Sequence, residues 1–105
     1  MENLLIKFSE IEWSSPMPGL RKKEIIISDK KLRLVEFSDD FVEPDWCCKG
    51  HIGYIVEGRM TLDFSGSIVQ YKKGDGVFIP EGSAAKHKGQ IEKGEKALVF
   101  LVENV

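Results

Sequence analysis

The stretch from Asp45 to Gly58, DWCCKGHIGYIVEG, brings together side chains that can bind a metal or act as nucleophiles. Asp45, Cys47 and His51 are separated by even numbers of residues, so a continuous β-strand would point all three to one face. A second imidazole, His87, would reach them from another strand. One carboxylate, one thiolate and two imidazoles form an acceptable ligand set for zinc or another divalent transition metal. We therefore predict a metal site formed by these four residues.

Two other interpretations of the same residues stay open at this point. Lys49 and His51 would lower the pKa of the Cys47 thiol and make it nucleophilic or redox-sensitive without any metal. One observation argues against the metal site: Lys49 is also an even number of residues from Cys47 and His51, so a continuous strand would point its ammonium group toward the metal, which would be costly. Alternatively, Cys47 is a small buried side chain, and His51 and His87 are hydrogen-bonded residues of the protein wall.

Composition narrows the class of protein. The chain has 105 residues, enough for one domain, and a formal net charge of −2. Such a charge does not attract nucleic acid over long range, and the longest apolar run is too short to cross a membrane. The first residues carry an acid at position 2 and resemble no signal peptide. The two cysteines are neighbours, which rarely pair in a disulfide, so we expect a cytoplasmic protein.

Short segments rich in β-forming residues, separated by Gly, Pro, Asp and Ser, predict an all-β protein. We expect an edge strand at 4–8, a loop at 14–20 and a hairpin that turns at Asp29–Lys30. A strand from 51 should end at a glycine turn at Gly58. Met60, Leu62 and Phe64 then alternate with polar residues, so we expect these three on the core face and the polar residues on the face toward water. The last strand, 96–104, is apolar on both faces, as in a central or subunit-facing strand.

The segment YIVEGRMTLDFSGSIVQYKKGDGVFIPEG, residues 54–82, carries two glycine-based motifs. Gly58 lies at the first, and the second consists of Gly74, five residues, Pro80, one residue and Gly82. From Cys48 to about Lys88 the chain resembles the cupin family of small β-barrels. This resemblance implies a single all-β domain, a double-stranded β-helix of the jelly-roll type. Residues 1–20 would form an N-terminal edge strand and loop, and residues 21–105 the barrel.

The resemblance also indicates where metal ligands should lie, and the chain departs from the family there. The first family motif supplies two histidines and a glutamate, and the second supplies one more histidine. In this chain the glutamate position holds His51. With the shorter of the two spacings found in the family the two histidine positions hold Cys47 and Asp45, and with the longer one they hold Trp46 and Pro44, which cannot bind a metal. The position of the last histidine holds Ala85, with His87 two residues further on.

We expect a barrel cavity that binds a small polar molecule and is lined by Trp46, Met60, Leu62 and Phe78. It would do so with or without one divalent metal, for which zinc, iron, manganese and nickel are open. The alternatives are a metal-dependent enzyme, either an isomerase, an oxygenase or a lyase, and a metal-free sensor or accessory module. The resemblance further implies a homodimer, with the N-terminal strand or the last strand at the interface.

Overall fold

The computed structural model describes residues 5–105, and these residues form eight β-strands and two short 3₁₀ helices. The helices are Phe8–Glu10 and Ser83–Ala85. The strands are β1 (Ser14–Met17), β2 (Leu20–Ile27), β3 (Lys30–Ser38), β4 (His51–Asp63), β5 (Ile68–Lys72), β6 (Gly76–Ile79), β7 (Lys88–Gln90) and β8 (Lys96–Asn104). The all-β fold class is confirmed.

The strands form a curled antiparallel sheet in the order β1–β2–β3–β8–β4–β5, and β6 and β7 also pair with β4. The first half of β4 pairs with β8 on one side and β6 on the other. Its second half pairs with β5 and β7 instead. Because one long strand belongs to both parts of the sheet, the sheet closes around an interior, as the predicted jelly-roll barrel requires.

The change of partners along β4 depends on glycine. Gly58 has a φ of 77°, and the register with β8 shifts between Ile55 and Glu57. A Cβ atom at Gly58 would lie 1.8 Å from the carbonyl oxygen of Lys96. The predicted end of the strand at Gly58 is therefore wrong, because this glycine bends the strand and lets it continue to Asp63.

The hydrophobic core lies inside the curled sheet, where alternate residues of the strands point inward. Met60 and Leu62 are buried and Phe64 packs against the core, which confirms the predicted alternation. In β8 the buried series is Ala97, Val99, Leu101 and Glu103. This strand lies between β3 and β4, so the prediction of a central strand is confirmed.

The N-terminal predictions need correction. Leu4 lies outside the described residues, and residues 5–7 form no strand. Residues 14–20, predicted to be a loop, instead form β1 and a turn into β2, because Pro16 lies in an edge strand where it interrupts only one ladder. The hairpin of β2 and β3 is confirmed, with its turn at Ser28–Asp29, one residue earlier than predicted.

Candidate functional site

Cys47, His51 and His87 come together on the inside of the barrel. One potential ligand atom from each residue lies within 4.8 Å of the others, and Sγ of Cys47 is 3.9 Å from Nε2 of His51. Cys47 and His87 are held opposite each other by two backbone hydrogen bonds. The N–H of Cys47 donates to the carbonyl of His87 at 2.8 Å, and the N–H of His87 donates to the carbonyl of Cys47 at 2.9 Å.

Local contacts fix the orientation of the His87 imidazole. The side chain is buried, and its Nδ1 lies 3.0 Å from the carbonyl oxygen of Ala85, which can only accept a hydrogen bond. Nδ1 therefore carries a proton, and in the neutral imidazole Nε2 keeps a lone pair for a ligand. Ala85 occupies the position where the family pattern has a histidine, and its backbone positions His87 instead.

The carboxylate of Glu103 contacts the imidazole of His51 at Nδ1. Nδ1 of His51 lies 2.6 Å from Oε2 of Glu103, an ion-pair contact that lacks the alignment of a regular hydrogen bond, and it has no hydrogen-bond partner among the described residues. The same Glu103 oxygen accepts a hydrogen bond from Nη1 of Arg33 at 2.9 Å. This carboxylate favours the His51 tautomer with its proton on Nδ1, which leaves Nε2 directed at Cys47.

The ion pairs continue from Arg33 to the protein surface. Nε of Arg33 donates to Oε1 of Glu24 at 2.8 Å, and Nζ of Lys22 donates to the same oxygen at 3.0 Å. Glu24 and Arg33 face each other in the β2–β3 ladder. Arg33 is thus fixed between two carboxylates, and its charge compensates the buried Glu103.

Charges within the group shift the pKa values of its members. The contacts with His51 and His87 lower the pKa of Cys47 to about 6. Burial disfavours the charged form of His51, but Cys47 and Glu103 outweigh it and raise its pKa to about 9. Cys47 likewise raises the pKa of His87. Burial of Glu103 is outweighed by His51 and Arg33, which lower its pKa to about 2. At neutral pH the site thus favours a thiolate beside protonated imidazole.

The three residues line a cavity of about 200 Å³. Met60 and Leu62 line it as predicted, together with Phe37, Phe41 and other apolar side chains. Besides the Cys47, His51 and His87 group, the polar lining residues are Arg33, Glu43 and Tyr71. The metal-ligand candidates therefore open onto a largely apolar space.

Three of the predicted site residues lie elsewhere. Asp45 is exposed and does not belong to the group, because residues 42–50 form no regular strand and only Cys47 is bridged to His87. Trp46 points away from the cavity, with Nζ of Lys86 and of Lys88 at 5.3 and 5.0 Å from its ring. Phe78 is 74% exposed, because Val77 and Ile79 occupy the inward positions of β6.

The two cysteines differ in their exposure, and the lysine that argued against a metal site lies outside the site. Cys47 is half-buried at the site and Cys48 is exposed, and both are free thiols. Lys49 is exposed as well, since the irregular backbone does not carry the even spacing through to its side chain. No ammonium is therefore forced into the site.

Sequence reasoning missed Glu103, Arg33 and Glu43. For Glu103 a signal existed, because it continues the inward series of Val99 and Leu101 in β8, where a charged residue requires a partner. Arg33 could be identified only from the strand register. Glu43 lies in an irregular segment, and its Oε1 accepts a hydrogen bond from the N–H of Gly89 at 2.7 Å, a contact that no local pattern indicates.

The curled sheet and a histidine-containing cavity between its walls define a cupin. The sequence profile of the EutQ-like cupin domain family matches residues 36–97, more than half of the chain. The chain belongs to this family. No curated protein matches it significantly.

Several solved structures share the fold. The polyketide cyclase RemF from Streptomyces resistomycificus is 20% identical with a TM-score of 0.80, and the match covers 98% of this chain and 80% of RemF. KdgF from Halomonas sp. is also 20% identical, with a TM-score of 0.77 and coverage of 100% and 96%. A putative ethanolamine utilization protein Q from Salmonella typhimurium is 16% identical, with a TM-score of 0.72 and coverage of 95% and 83%. Identities this low establish the fold and not the activity.

Neither helix in residues 5–105 is long and apolar enough to span a membrane.

Proposed function

We propose that this cupin binds a small molecule in its barrel cavity through a divalent metal held by Cys47, His51 and His87. The observation that carries the proposal is the convergence of their three ligand atoms within 4.8 Å on the cavity wall. Both imidazoles have their Nδ1 atoms engaged by oxygen atoms, so both present Nε2. Asp45, expected as a fourth ligand, has no part in this proposal.

The donor set fits a borderline transition metal. In tetrahedral zinc sites a thiolate sulfur and an imidazole nitrogen lie about 3.5 Å apart, and here Sγ of Cys47 and Nε2 of His51 are 3.9 Å apart. One thiolate and two imidazoles favour zinc, iron or nickel over manganese, which prefers oxygen ligands. Three protein ligands also leave a coordination position for a molecule in the cavity.

A metal bound here would act as a Lewis acid that polarises an oxygen atom of the bound molecule. The residues of the chain would orient that molecule and exclude water. An isomerase, oxygenase or lyase activity is the catalytic form of the same proposal. Its support is that relatives with this fold include a protein described as a polyketide cyclase and another described as a sugar phosphate isomerase.

Metal content tests the proposal directly. The protein would be purified without a histidine tag, incubated with zinc, iron, manganese or nickel, dialysed and analysed by inductively coupled plasma mass spectrometry. We expect about one equivalent of zinc per chain, and loss of that metal in Cys47→Ser and His87→Gln. Cys48→Ser and Asp45→Asn are the matched controls and should retain it. A wild-type protein that retains none of the four metals would overturn the proposal.

A second function, thiol chemistry without a metal, is favoured by one observation. Two imidazoles lower the pKa of Cys47 to about 6, so its thiolate exists at neutral pH. A metal-free cupin of this kind would be a redox-sensitive sensor or accessory module.

The two free cysteines also support the cytoplasmic location that we propose for the protein.

We also propose that the protein forms a homodimer through the outer face of the sheet. Five paired residues form an apolar row across β6, β4, β8, β3 and β2: Phe78, Ile52, Val102, Leu32 and Ile25. Phe78 and Ile52 are 74% and 56% exposed. The row contains no charged side chain that would select a charged partner, whereas a second copy presents the same apolar surface.

Light scattering coupled to gel filtration tests the dimer. We expect the mass of two chains for the wild type and of one chain for the double variant Ile52→Ser/Phe78→Ser. Ile68→Ser, an exposed residue of β5 outside the row, is the control. A wild-type protein that remains monomeric at high micromolar concentration would contradict the proposal.

A further inference from the structure

The cavity combines one polar site with apolar walls. Around the Cys47, His51 and His87 group the lining includes Phe37, Phe41, Met60, Leu62 and Ile79. Phe37 and Phe41 form an edge-to-face pair with ring centroids 4.8 Å apart. These side chains offer a bound molecule no hydrogen bonds, so each polar group placed against them would lose its hydration without compensation.

The volume of the cavity corresponds to about one ring. A cavity of about 150 Å³ lined by aliphatic and aromatic side chains is large enough for benzene, and this cavity measures about 200 Å³. A six-membered ring with one small substituent therefore fills it. A polyhydroxylated molecule of the same size would bury several hydroxyl groups against carbon.

Charge restricts the number of anionic groups on the molecule. Arg33, the lining side chain with a permanent positive charge, is engaged by Glu24 and Glu103. Glu43 is the other charged side chain on the wall, and its Oε1 is bound to the N–H of Gly89. A single anionic oxygen group would meet the metal, but a second one would face apolar wall or the Glu43 carboxylate.

We propose that the ligand is a small, largely apolar molecule of about one ring that carries a single anionic oxygen group, such as a carboxylate. This group reaches the metal site, and the apolar body lies against the Phe37, Phe41 and Met60 side of the cavity. The molecule differs from the polar ligand that the sequence suggests. The inference rests on the proposed function, because the anionic group binds the metal.

Three probes separate the parts of the proposal. Benzoate has the ring and the carboxylate, gluconate has the carboxylate on a polar body, and toluene has the ring alone. Each would be titrated into zinc-loaded and metal-free protein by calorimetry, with amide chemical shifts of Leu62 and Gly89 as the local readout. We expect benzoate to bind the zinc-loaded protein at least about tenfold more tightly than either other probe. Benzoate should lose at least about tenfold in affinity without zinc, because the metal that its carboxylate would bind is then absent.

A conservative variant tests the apolar wall. Met60→Gln preserves the length of the side chain but replaces carbon and sulfur with an amide, and Met60→Leu is its matched control. We expect Met60→Gln to weaken benzoate several-fold while zinc content stays at one equivalent, and Met60→Leu to bind it nearly as the wild type does. Circular dichroism would confirm that both variants are folded.

The outcomes distinguish this proposal from the metal site itself. Zinc uptake with gluconate binding as tightly as benzoate would overturn the ligand class and leave the metal site intact. Absence of zinc uptake would overturn the proposed function and the role of the anionic group. In that case, changes in the amide chemical shifts of Leu62 and Gly89 on addition of toluene would still support an apolar ligand cavity. Absence of these changes would overturn the apolar cavity as well.

Discussion

Glu103 is the residue on which the candidate site depends most. The residue is only 4% exposed, so its carboxylate would be strongly destabilising without partners. Arg33 and His51 supply those partners at 2.9 and 2.6 Å. The arrangement couples a buried ion pair to a metal-ligand candidate, and breaking it therefore affects both packing and the orientation of His51.

The contribution of Glu103 can be measured through metal affinity. Glu103→Gln removes the charge that favours the Nδ1–H tautomer of His51, so we expect the zinc dissociation constant to rise by about 10–100-fold. Competition with a chromophoric chelator would measure it. Glu57→Gln, at an exposed pair with Lys73, should leave the affinity unchanged. Equal zinc affinity in Glu103→Gln and the wild type would show that Glu103 has no role in positioning the ligand.

The thiol of Cys47 gives a second prediction at this scale. In metal-free Cys48→Ser protein, where Cys47 is the single cysteine, alkylation by iodoacetamide should increase with pH and reach half of its plateau near pH 6. The direction follows because the thiolate is the reactive form and both imidazoles stabilise it. His51→Gln should move the midpoint upward, toward the ordinary value of 9. A midpoint that does not respond to His51→Gln would rule out the contact as its cause.

At the scale of elements, β4 determines how the barrel closes. Its ladder with β8 places His51 beside the buried end of β8, and its bend at Gly58 turns Met60 and Leu62 into the cavity. The bend needs a residue with a φ of 77° and without a side chain. The position of this part of the cavity wall relative to His51 thus depends on one glycine.

Alanine substitutions at two glycines isolate this effect. In Gly58→Ala the new Cβ would meet the Lys96 carbonyl in addition to the unfavourable φ, and we expect a loss of more than about 2 kcal/mol in unfolding free energy. Gly66→Ala meets nothing within 4 Å and should cost only the backbone strain of its φ of 108°, about 1–2 kcal/mol. Urea unfolding monitored by fluorescence would compare them. Similar losses in both variants would contradict the steric argument at Gly58.

Sequence reasoning succeeded where strands are regular and failed where they are not. Alternation correctly predicted Met60 and Leu62 as inward residues of β4, because the ladder enforces a period of two. The same reasoning failed for Asp45, which lies in a segment without a continuous ladder. For Phe78 the sequence indicated a β-strand but not which of its residues point inward. All residues of this four-residue strand are apolar or glycine, so alternation does not distinguish the inward side from the outward side.

At the scale of the whole molecule, the site links separate parts of the chain. Cys47 precedes β4, His87 precedes β7, and Glu103 is the penultimate residue of β8. A metal that binds only when these segments are assembled stabilises the folded state. Zinc at a free concentration 100-fold above its dissociation constant should add about 2.7 kcal/mol to the unfolding free energy.

Thermal unfolding would show this linkage. We expect zinc to raise the melting temperature by roughly 10 °C or more, and a chelator to reverse the rise. His87→Gln should show no zinc-dependent increase, whereas Asp45→Asn should show the full one. An equal zinc effect on His87→Gln and the wild type would place the metal elsewhere in the chain.

The sequence by itself determined most of the β-strands, the cupin fold and three of the four residues from which the candidate site was predicted. Patterning and glycine motifs are local properties, so they can be recognised along the chain. The tertiary structure decided that Asp45 lies outside, that Glu103 and Arg33 support His51, and that the cavity walls are apolar. Those features depend on strand register and on the path of an irregular loop, which bring together residues up to 70 positions apart.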